Sequence, residues 1–227
     1  MGFRVHYAQW QLLLYLFREI FLEGSYLFES NTESPTIVDC GSNIGMSILF
    51  FKMIYPKSQI IGFEPDPATF ETLQSNIECN ALAGVKVYPF ALSGGDGMID
   101  FYHKDDDAGS LLMSIHKIRM GGERIVVPTR KLSSFVTGPI DLLKMDIEGA
   151  EEEVIKELVA SNVLSFVQQM FIEYHHHINS SEDTFSRFLA LLEQSGFGYQ
   201  ISSDAKKGKI ARSSEFQDIR IYCYRKQ

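Results

Sequence analysis

The sequence predicts an α/β fold, a largely parallel sheet with helices on both faces and an antiparallel hairpin at one edge. Two observations carry that expectation. From Thr36 onward, short apolar runs of strand composition alternate with longer amphipathic runs, and such alternation needs crossover helices that cover both faces of a parallel sheet. Towards the C-terminus the alternation stops: FGYQIS and DIRIYCYRK are joined by the loop SSDAKKGKIARSSEFQ with no helix between them, which suits an antiparallel pair. In 227 residues without a tract of linker composition, one domain is expected over 1–227, with 1–33 as an N-terminal helical extension.

Taken in order, TIVDC reads as a short buried strand and GMSILFFKMIYP as a helix stopped by Pro56. SQIIGFE is a second strand, and PATFETLQSNIECNAL a helix opened by Pro67. VKVYPFALS and MIDFYH are further strand-like runs. IDLLKMD is a strand ending in an acid, and the amphipathic AEEEVIKELVASN follows it directly. FVQQMFIEYH and then SEDTFSRFLALLEQSG read as the next strand and helix. Ahead of them all, QWQLLLYLFREIFLE is apolar, but its unbroken run from Leu12 to Phe17 is short, Arg18 and Glu19 interrupt it, and no small-residue cleavage site follows. A helix packing Leu12, Leu13, Leu16, Phe17 and Ile20 on the domain is expected, with a dimer contact or a lid over a substrate as the alternatives.

Lys+Arg 21 against Asp+Glu 29 leaves a net charge of −8, which disfavours a phosphate-tracking surface, so nucleic acid is not an expected partner. Cys40, Cys79 and Cys223 are widely spaced and form no C-x-x-C pair, which argues against a zinc knuckle or redox dithiol and fits a reducing compartment, here the cytoplasm.

In an open α/β sheet a ligand lies beyond the carboxyl ends of the strands, where the first strand-to-helix turn brings N–H groups to the rim. IVDCGSNIGMS supplies that turn. Gly41 lets the chain reverse sharply without a Cβ clash, and Gly45 opens the helix at a point of close approach. The spacing D-x-G-x-N-x-G is not the G-x-G-x-x-G of a pyrophosphate-binding dehydrogenase, and the G-K-S/T of a P-loop is absent. Asp39 would repel a diphosphate and suits a ligand with positive charge, such as an amino group or a sulfonium beside it. Glu64 ends the second strand about twenty residues beyond the turn, where an acid accepts both hydroxyls of a ribose. An unphosphorylated nucleoside joined to a cationic amino acid describes S-adenosylmethionine better than NAD.

IVDCGSNIG, IIGFEPDPATFETLQSNI, VKVYPFALS and above all DLLKMDIEGAEEEVI resemble the FkbM-type methyltransferases, a branch of the Rossmann-like S-adenosylmethionine-dependent enzymes. The pairing of FEP with K-x-D-x-E-G-A-E is the specific part of that resemblance. It implies a doubly wound sheet of about seven strands with an antiparallel edge, and methylation of hydroxyl groups, often on sugars or natural-product scaffolds. Carried over position by position, it implies that Asp39, Gly41, Asn43 and Gly45 lie beneath the methionine part, that Glu64 holds the ribose and that Ala91 passes the adenine. Asp66 falls near the ribose or adenine edge, with a helix N-cap ahead of Pro67 as its other use. The chain departs from the pattern at PTRKLSSF, where an acid is expected soon after the threonine, so no substrate contact is assigned around Leu132.

Methyl transfer is an in-line displacement at an already activated carbon, so the protein's tasks are alignment and removal of the acceptor's proton. Asp146 ends its strand at the rim facing the methyl group and is a candidate for both catalysis and cofactor contact. Glu173 and His175 end the next strand, and a period of two puts them on one face. Carboxylates beside a histidine make a general-base constellation with His175 as the base; a divalent metal is the less favoured use of the same groups. Blander roles suit the neighbours. Glu151, Glu152 and Glu153 answer a helix macrodipole, His176 and His177 fit a solvated turn, and Lys144 is a solvated or ion-paired lysine outside the catalytic set. DDDAGS, 105–110, is a solvated turn or an acidic lip for the acceptor. Two other classes share these features, a nicotinamide-dependent oxidoreductase and a cofactor-binding module without turnover. The missing third glycine and Asp39 count against the first. The expected partner is a small-molecule or glycan acceptor, and a homodimer through the N-terminal helix stays open.

Overall fold

The computed structural model describes residues 2–103, 123–176, 184–203 and 217–226. Its main sheet contains β1 (Thr36–Cys40), β2 (Gln59–Phe63), β3 (Val85–Tyr88), β7 (Ile140–Met145), β8 (Val167–His176), β9 (Phe197–Ser203) and β10 (Gln217–Arg225) in the spatial order β3-β2-β1-β7-β8-β10-β9. β1, β2, β3, β7 and β8 run parallel, whereas β10 is antiparallel to both β8 and β9. This is the expected doubly wound sheet with its edge hairpin. The later strand of that hairpin is inserted inside the earlier one, so β9 forms the edge. The chain runs outward from β1 to β3 and then returns to lay β7 on the other side of β1. The order therefore reverses between β1 and β7, where sheets of this type open a crevice.

The strands are buried on both faces because consecutive side chains enter opposite cores. Val38, Leu143 and Ile172 point to the side covered by α4 (Glu151–Ala160) and α5 (Phe185–Gln194), where Val154, Leu158, Phe188 and Leu192 meet them. Ile37, Leu142 and Phe171 point to the other side, towards α2 (Met46–Ile54), α3 (Pro67–Cys79) and the N-terminal segment. That segment contains α1 (Trp10–Phe17), which continues as a π-helical turn over Arg18–Leu22. Leu16 and Ile20 are buried as expected, but Phe17 is 43% exposed and only stacks on Phe21. A π turn carries one more residue per turn than an α-helix continues with, so a face read at α-helical period does not hold through it.

β4 (Ala91–Leu92), β5 (Gly97–His103) and β6 (Glu123–Arg130) form a second sheet in the order β4-β6-β5. The sequence reading missed one strand, β6, and read two others, β3 and β4, as a single run. VKVYPFALS is split because Pro89 has no N–H for a ladder, so β3 ends at Tyr88 and the chain leaves the main sheet. Pro128 inside ERIVVPTR hides β6 in the same way. The 105–110 segment, His177 and residues 204–216 of the hairpin loop lie outside the described residues. All three cysteines are free, with Cys40 and Cys223 buried. Among the described residues no helix is long and apolar enough to cross a membrane.

Phe188 is fully buried, and its ring stacks on Tyr174 of β8 at 4.6 Å, so it ties α5 to the strand that carries Glu173 and His175. Phe188→Ala is expected to cost about 3–5 kcal/mol in urea unfolding with an unchanged m-value. A loss below about 1 kcal/mol would show that α5 docks without this contact.

Candidate active site

The glycine turn is held at the sheet's carboxyl rim by a contact that no side chain would allow. Gly41 has φ +82°, and a Cβ built on it would lie 1.9 Å from the Asp146 carbonyl oxygen at the end of β7. The Gly41 and Ser42 N–H groups donate to the Phe63 carbonyl at 3.0 and 2.8 Å, which fastens the turn to β2 as well. Gly45, at φ +90°, leaves room for Leu73 of α3, whose side chain a Cβ would meet at 2.7 Å. Glu64 follows β2 and is 4% exposed. Its carboxylate accepts from the Asn43 and Asp66 N–H groups, both at 2.9 Å. Burial pushes its pKa up to about 8, although the two N–H groups pull it the other way.

These loops wall a cleft whose empty space, open solvent included, is about 840 Å³. Gly41, Asn43, Glu64, Ala91 and Asp146 line it, five of the positions expected to meet a cofactor. Leu16, Ile20 and Tyr26 of the N-terminal segment close another side, and Phe90 stands next to Ala91. The other three expected cofactor positions lie behind this lining. Asp39 is fully buried beneath the turn, where Ser47 Oγ donates to its Oδ2 at 2.6 Å and Lys144 Nζ lies 3.4 Å from its Oδ1. It therefore supports the loop from below instead of facing the cleft. Asp66 is the N-cap of α3, accepting from the Thr69 N–H at 2.9 Å ahead of Pro67, and its own N–H orients Glu64. Gly45 serves the turn geometry.

Lys144, set aside in the sequence reading, lines the cleft and is 2% exposed. Its ammonium donates to the Gly41 carbonyl at 2.6 Å and lies 3.4 Å from Asp39 and 3.8 Å from Asp146. Burial works to lower its pKa, but Asp39 and Asp146 outweigh burial and the net shift is upward, so the charge persists. A lysine one residue from the end of a buried strand was the signal in the sequence, since such a cation has to be paired.

Beyond Asp146 a group of acids surrounds His175, whose side chain is 2% exposed and does not itself reach the cleft lining. Nδ1 lies 2.8 Å from Glu151 Oε1. Nε2 lies 3.3 Å from Glu148 Oε2 and 3.7 Å from both Asp146 Oδ1 and Asp218 Oδ1. Burial acts to depress the imidazole pKa; Glu151 and Glu148 more than offset it and hold the pKa well above its ordinary value. His175 thus meets Glu151 on one ring nitrogen and turns the other towards Glu148 and Asp146. Glu173 belongs to the same group, with its pKa pushed up to about 8 by burial and then by Asp146. Two sets of ligand atoms, Asp146–Glu148–His175 and Glu173–His175–Asp218, each fall within 4.8 Å and could hold a metal.

The structure also revises Glu151 and His176 and adds Glu148 and Asp218 to the group. Glu151 is not simply a helix-start acid: it is 1% exposed, accepts from the Gly149 N–H at 3.0 Å and partners His175, whereas Glu152 pairs with Lys156 on the surface. Glu148 takes a left-handed φ of +58°, and Gly149 follows at +110°, a turn that directs Glu148 to the same group. His176 is 8% exposed in β8 beside Tyr174 and Phe185, not in a solvated turn. Asp218 could not be found from the sequence, because only the β8–β10 register sets it opposite His175.

With this geometry established, the comparisons with known proteins can be read. The family model described as the methyltransferase FkbM domain matches residues 39–201. Methyltransferase 1 of Beauveria bassiana is 29% identical over 208 residues, covering 82% of this chain and 82% of its own. The 2-O-methyltransferase NoeI of Sinorhizobium fredii is 32% identical over 139 residues, 53% of this chain and 56% of its own. Among solved structures, that of methyltransferase FkbM from Methylobacillus flagellatus shares the fold, with a TM-score of 0.57 at 18% identity over 90% of this chain and 46% of that chain.

The raised pKa of Glu64 has a consequence for stability. An acid whose folded pKa of about 8 exceeds its ordinary 4.5 stabilises the fold fully below about 4.5, and that contribution is lost as the pH rises through about 8. In the ligand-free protein, Glu64→Gln is expected to flatten the fall in stability across this window, removing a slope of up to ~1.4 kcal/mol per pH unit. Urea unfolding of both proteins at a series of pH values checks it; parallel curves would mean that Glu64 is ionised throughout.

Proposed function

The chain belongs to the methyltransferase FkbM domain family, and from that premise we propose an S-adenosylmethionine-dependent O-methyltransferase acting on a hydroxyl of a sugar or natural-product acceptor. The observation that carries the cofactor reading is the buried Glu64 carboxylate, aimed into the cleft by two N–H groups across from a glycine turn with no room for a Cβ. Such a carboxylate accepts from paired ribose hydroxyls and repels a 2′-phosphate. The Gly41–Asn43 backbone would hold the amino-acid end, and Ala91 beside Phe90 the adenine. Asp39, Gly45 and Asp66 act through those groups. Asp39 does so by fixing Lys144, and Asp66 by orienting Glu64. When bound, S-adenosylmethionine supplies an electrophilic methyl group.

The acceptor is assigned to the end of the cleft where Asp146 and Glu148 face Tyr26, Leu16 and Ile20. Carboxylates accept from hydroxyl groups, and an aromatic ring covers the apolar face of a sugar, so this end suits a polyhydroxylated acceptor. Asp146 lines the cleft and takes the acceptor's proton, while Glu173 and His175 behind it set its position and charge. The name of the relative NoeI, a 2-O-methyltransferase, supports oxygen as the acceptor atom. A nicotinamide-dependent oxidoreductase is not favoured by the family match, and neither is a module without turnover.

S-adenosylhomocysteine is expected to bind the protein and raise its melting temperature, and Glu64→Ala to weaken binding by about 1–3 kcal/mol in calorimetric titration. NAD and NADP should both bind poorly, and NADP no better than NAD. Tight NADP binding overturns the cofactor assignment. With a panel of hexuronate and monosaccharide acceptors, followed by release of S-adenosylhomocysteine, Asp146→Asn should lower turnover by about 10²–10⁴. Turnover within a few-fold of the native chain would remove Asp146 from the proton path.

A further inference from the structure

We propose that Asp146, Glu148 and His175 form a binding site for one divalent cation of the Mn²⁺ or Zn²⁺ kind at the acceptor end of the cleft. Its use rests on the methyltransferase reading; its existence does not. His175 Nε2 stands 3.3 Å from Glu148 Oε2 and 3.7 Å from Asp146 Oδ1, and the three ligand atoms lie within 4.8 Å of one another. A cation about 2.1 Å from each of three ligands needs them about 3.0–3.4 Å apart. The two His175 distances already approach that spacing, and the two partly exposed carboxylates, within 4.8 Å of each other, can reach it by turning.

The imidazole is oriented as a ligand would be. Its side chain is 2% exposed, and Glu151, at 2.8 Å from Nδ1, turns Nε2 towards the acids. A carboxylate behind a histidine is the usual outer support of a metal-bound imidazole. The composition of the group suits a cation as well. Five carboxylates surround the ring, those of Asp146, Glu148, Glu151, Glu173 and Asp218, and the nearby cation Lys144 is shared with Asp39. Because Asp146 and Glu148 line the cleft, a cation between them and Nε2 has its open coordination positions on the cleft side, where a hydroxyl can enter. The second set, Glu173–His175–Asp218, does not reach the cleft lining. Imidazole among the ligands favours Mn²⁺ or Zn²⁺ over Mg²⁺.

A cation there would draw the acceptor hydroxyl into its coordination sphere and lower its pKa. The O–H bond would break with its proton passing to a carboxylate of the cluster, and the oxygen's electron pair would form the new O–C bond as the methyl–sulfonium bond breaks and S-adenosylhomocysteine leaves.

The test titrates MnCl₂ alone into the chelator-treated full chain by calorimetry, with S-adenosylhomocysteine titrated in parallel. One saturable Mn²⁺ site per chain is expected, lost in His175→Ala, weakened at least tenfold in Glu148→Gln and less than threefold in Asp218→Asn. Circular dichroism checks each variant, and if His175→Ala fails to fold, the Glu148→Gln and Asp218→Asn pair decides. No saturable Mn²⁺ binding, or an equal loss in Asp218→Asn and Glu148→Gln, overturns the site. S-adenosylhomocysteine binding without Mn²⁺ binding removes the metal and leaves the methyltransferase reading standing. The reverse removes that reading and leaves the metal site.

Discussion

The Lys144 ammonium is the interaction on which the rest of the site depends. It sits at the point where the strand order reverses, one residue from the end of β7 and opposite Asp39 in the β1 register. Its bond to the Gly41 carbonyl fixes the glycine turn, and its charge is shared between Asp39 beneath the turn and Asp146 at the rim. A cation this deep is tolerable only because both partners are in place. Removing one member of such a group typically costs about 3–5 kcal/mol, because an uncompensated charge is left behind. The same side chain therefore shapes the turn and places Asp146 on the cleft.

From that point the cleft divides into two electrostatic halves. On the Glu64 side one buried carboxylate is held by backbone N–H groups, with no cation bonded to it in the structure, which leaves it suited to neutral hydroxyl donors. On the Asp146 side several carboxylates crowd one imidazole; burial and then Asp146 raise the pKa of Glu173, and Glu151 and Glu148 outweigh burial to raise that of His175. Like charges are kept that close only where the fold over-determines them, and here Gly149, the left-handed Glu148 and the β8–β10 pairing do so. Replacing such a cluster by apolar packing is often neutral or stabilising, so its charges are not there for stability alone.

Much of this was legible in the sequence. The strands of the main sheet read from apolar runs of strand length; Gly41, Glu64 and Asp146 followed from their place after strands, and Asn43 and Ala91 from the family resemblance. What could not be read depends on register and phase. Asp39 and Lys144 look like an isolated acid and an isolated lysine until β1 lies beside β7. Glu151, Glu152 and Glu153 are equivalent as helix-start acids, and only the rotation of α4 on the sheet turns Glu151 inward. Asp218 reaches His175 through antiparallel pairing across more than forty residues of chain, and Pro128 masks β6. Local patterns therefore located the rim, and tertiary pairing decided which charges meet on it.

The N-terminal and C-terminal segments show how the same logic extends past the matched family region of 39–201. Leu16, Ile20 and Tyr26 line the cleft, and Glu19 in the π turn accepts from Arg220 of β10 at 2.8 Å. Arg220 pairs in register with Glu173, so the segment before β1 is tied to the strand that carries the acidic cluster. Tyr26 adds a second tie, with its ring edge-on to Phe171 at 4.7 Å and the Lys144 ammonium 5.6 Å from its centroid. A π turn positions Glu19 and Ile20 together, one towards Arg220 and one towards the cleft, which an uninterrupted α-helix of the same sequence would not hold in the same phase. Gly41, Asn43, Glu64 and Asp146 thus enter the cleft lining from the loops that follow the sheet's strands, whereas Leu16, Ile20 and Tyr26 enter it from chain before β1. The cleft is therefore complete only once that segment has docked on the sheet.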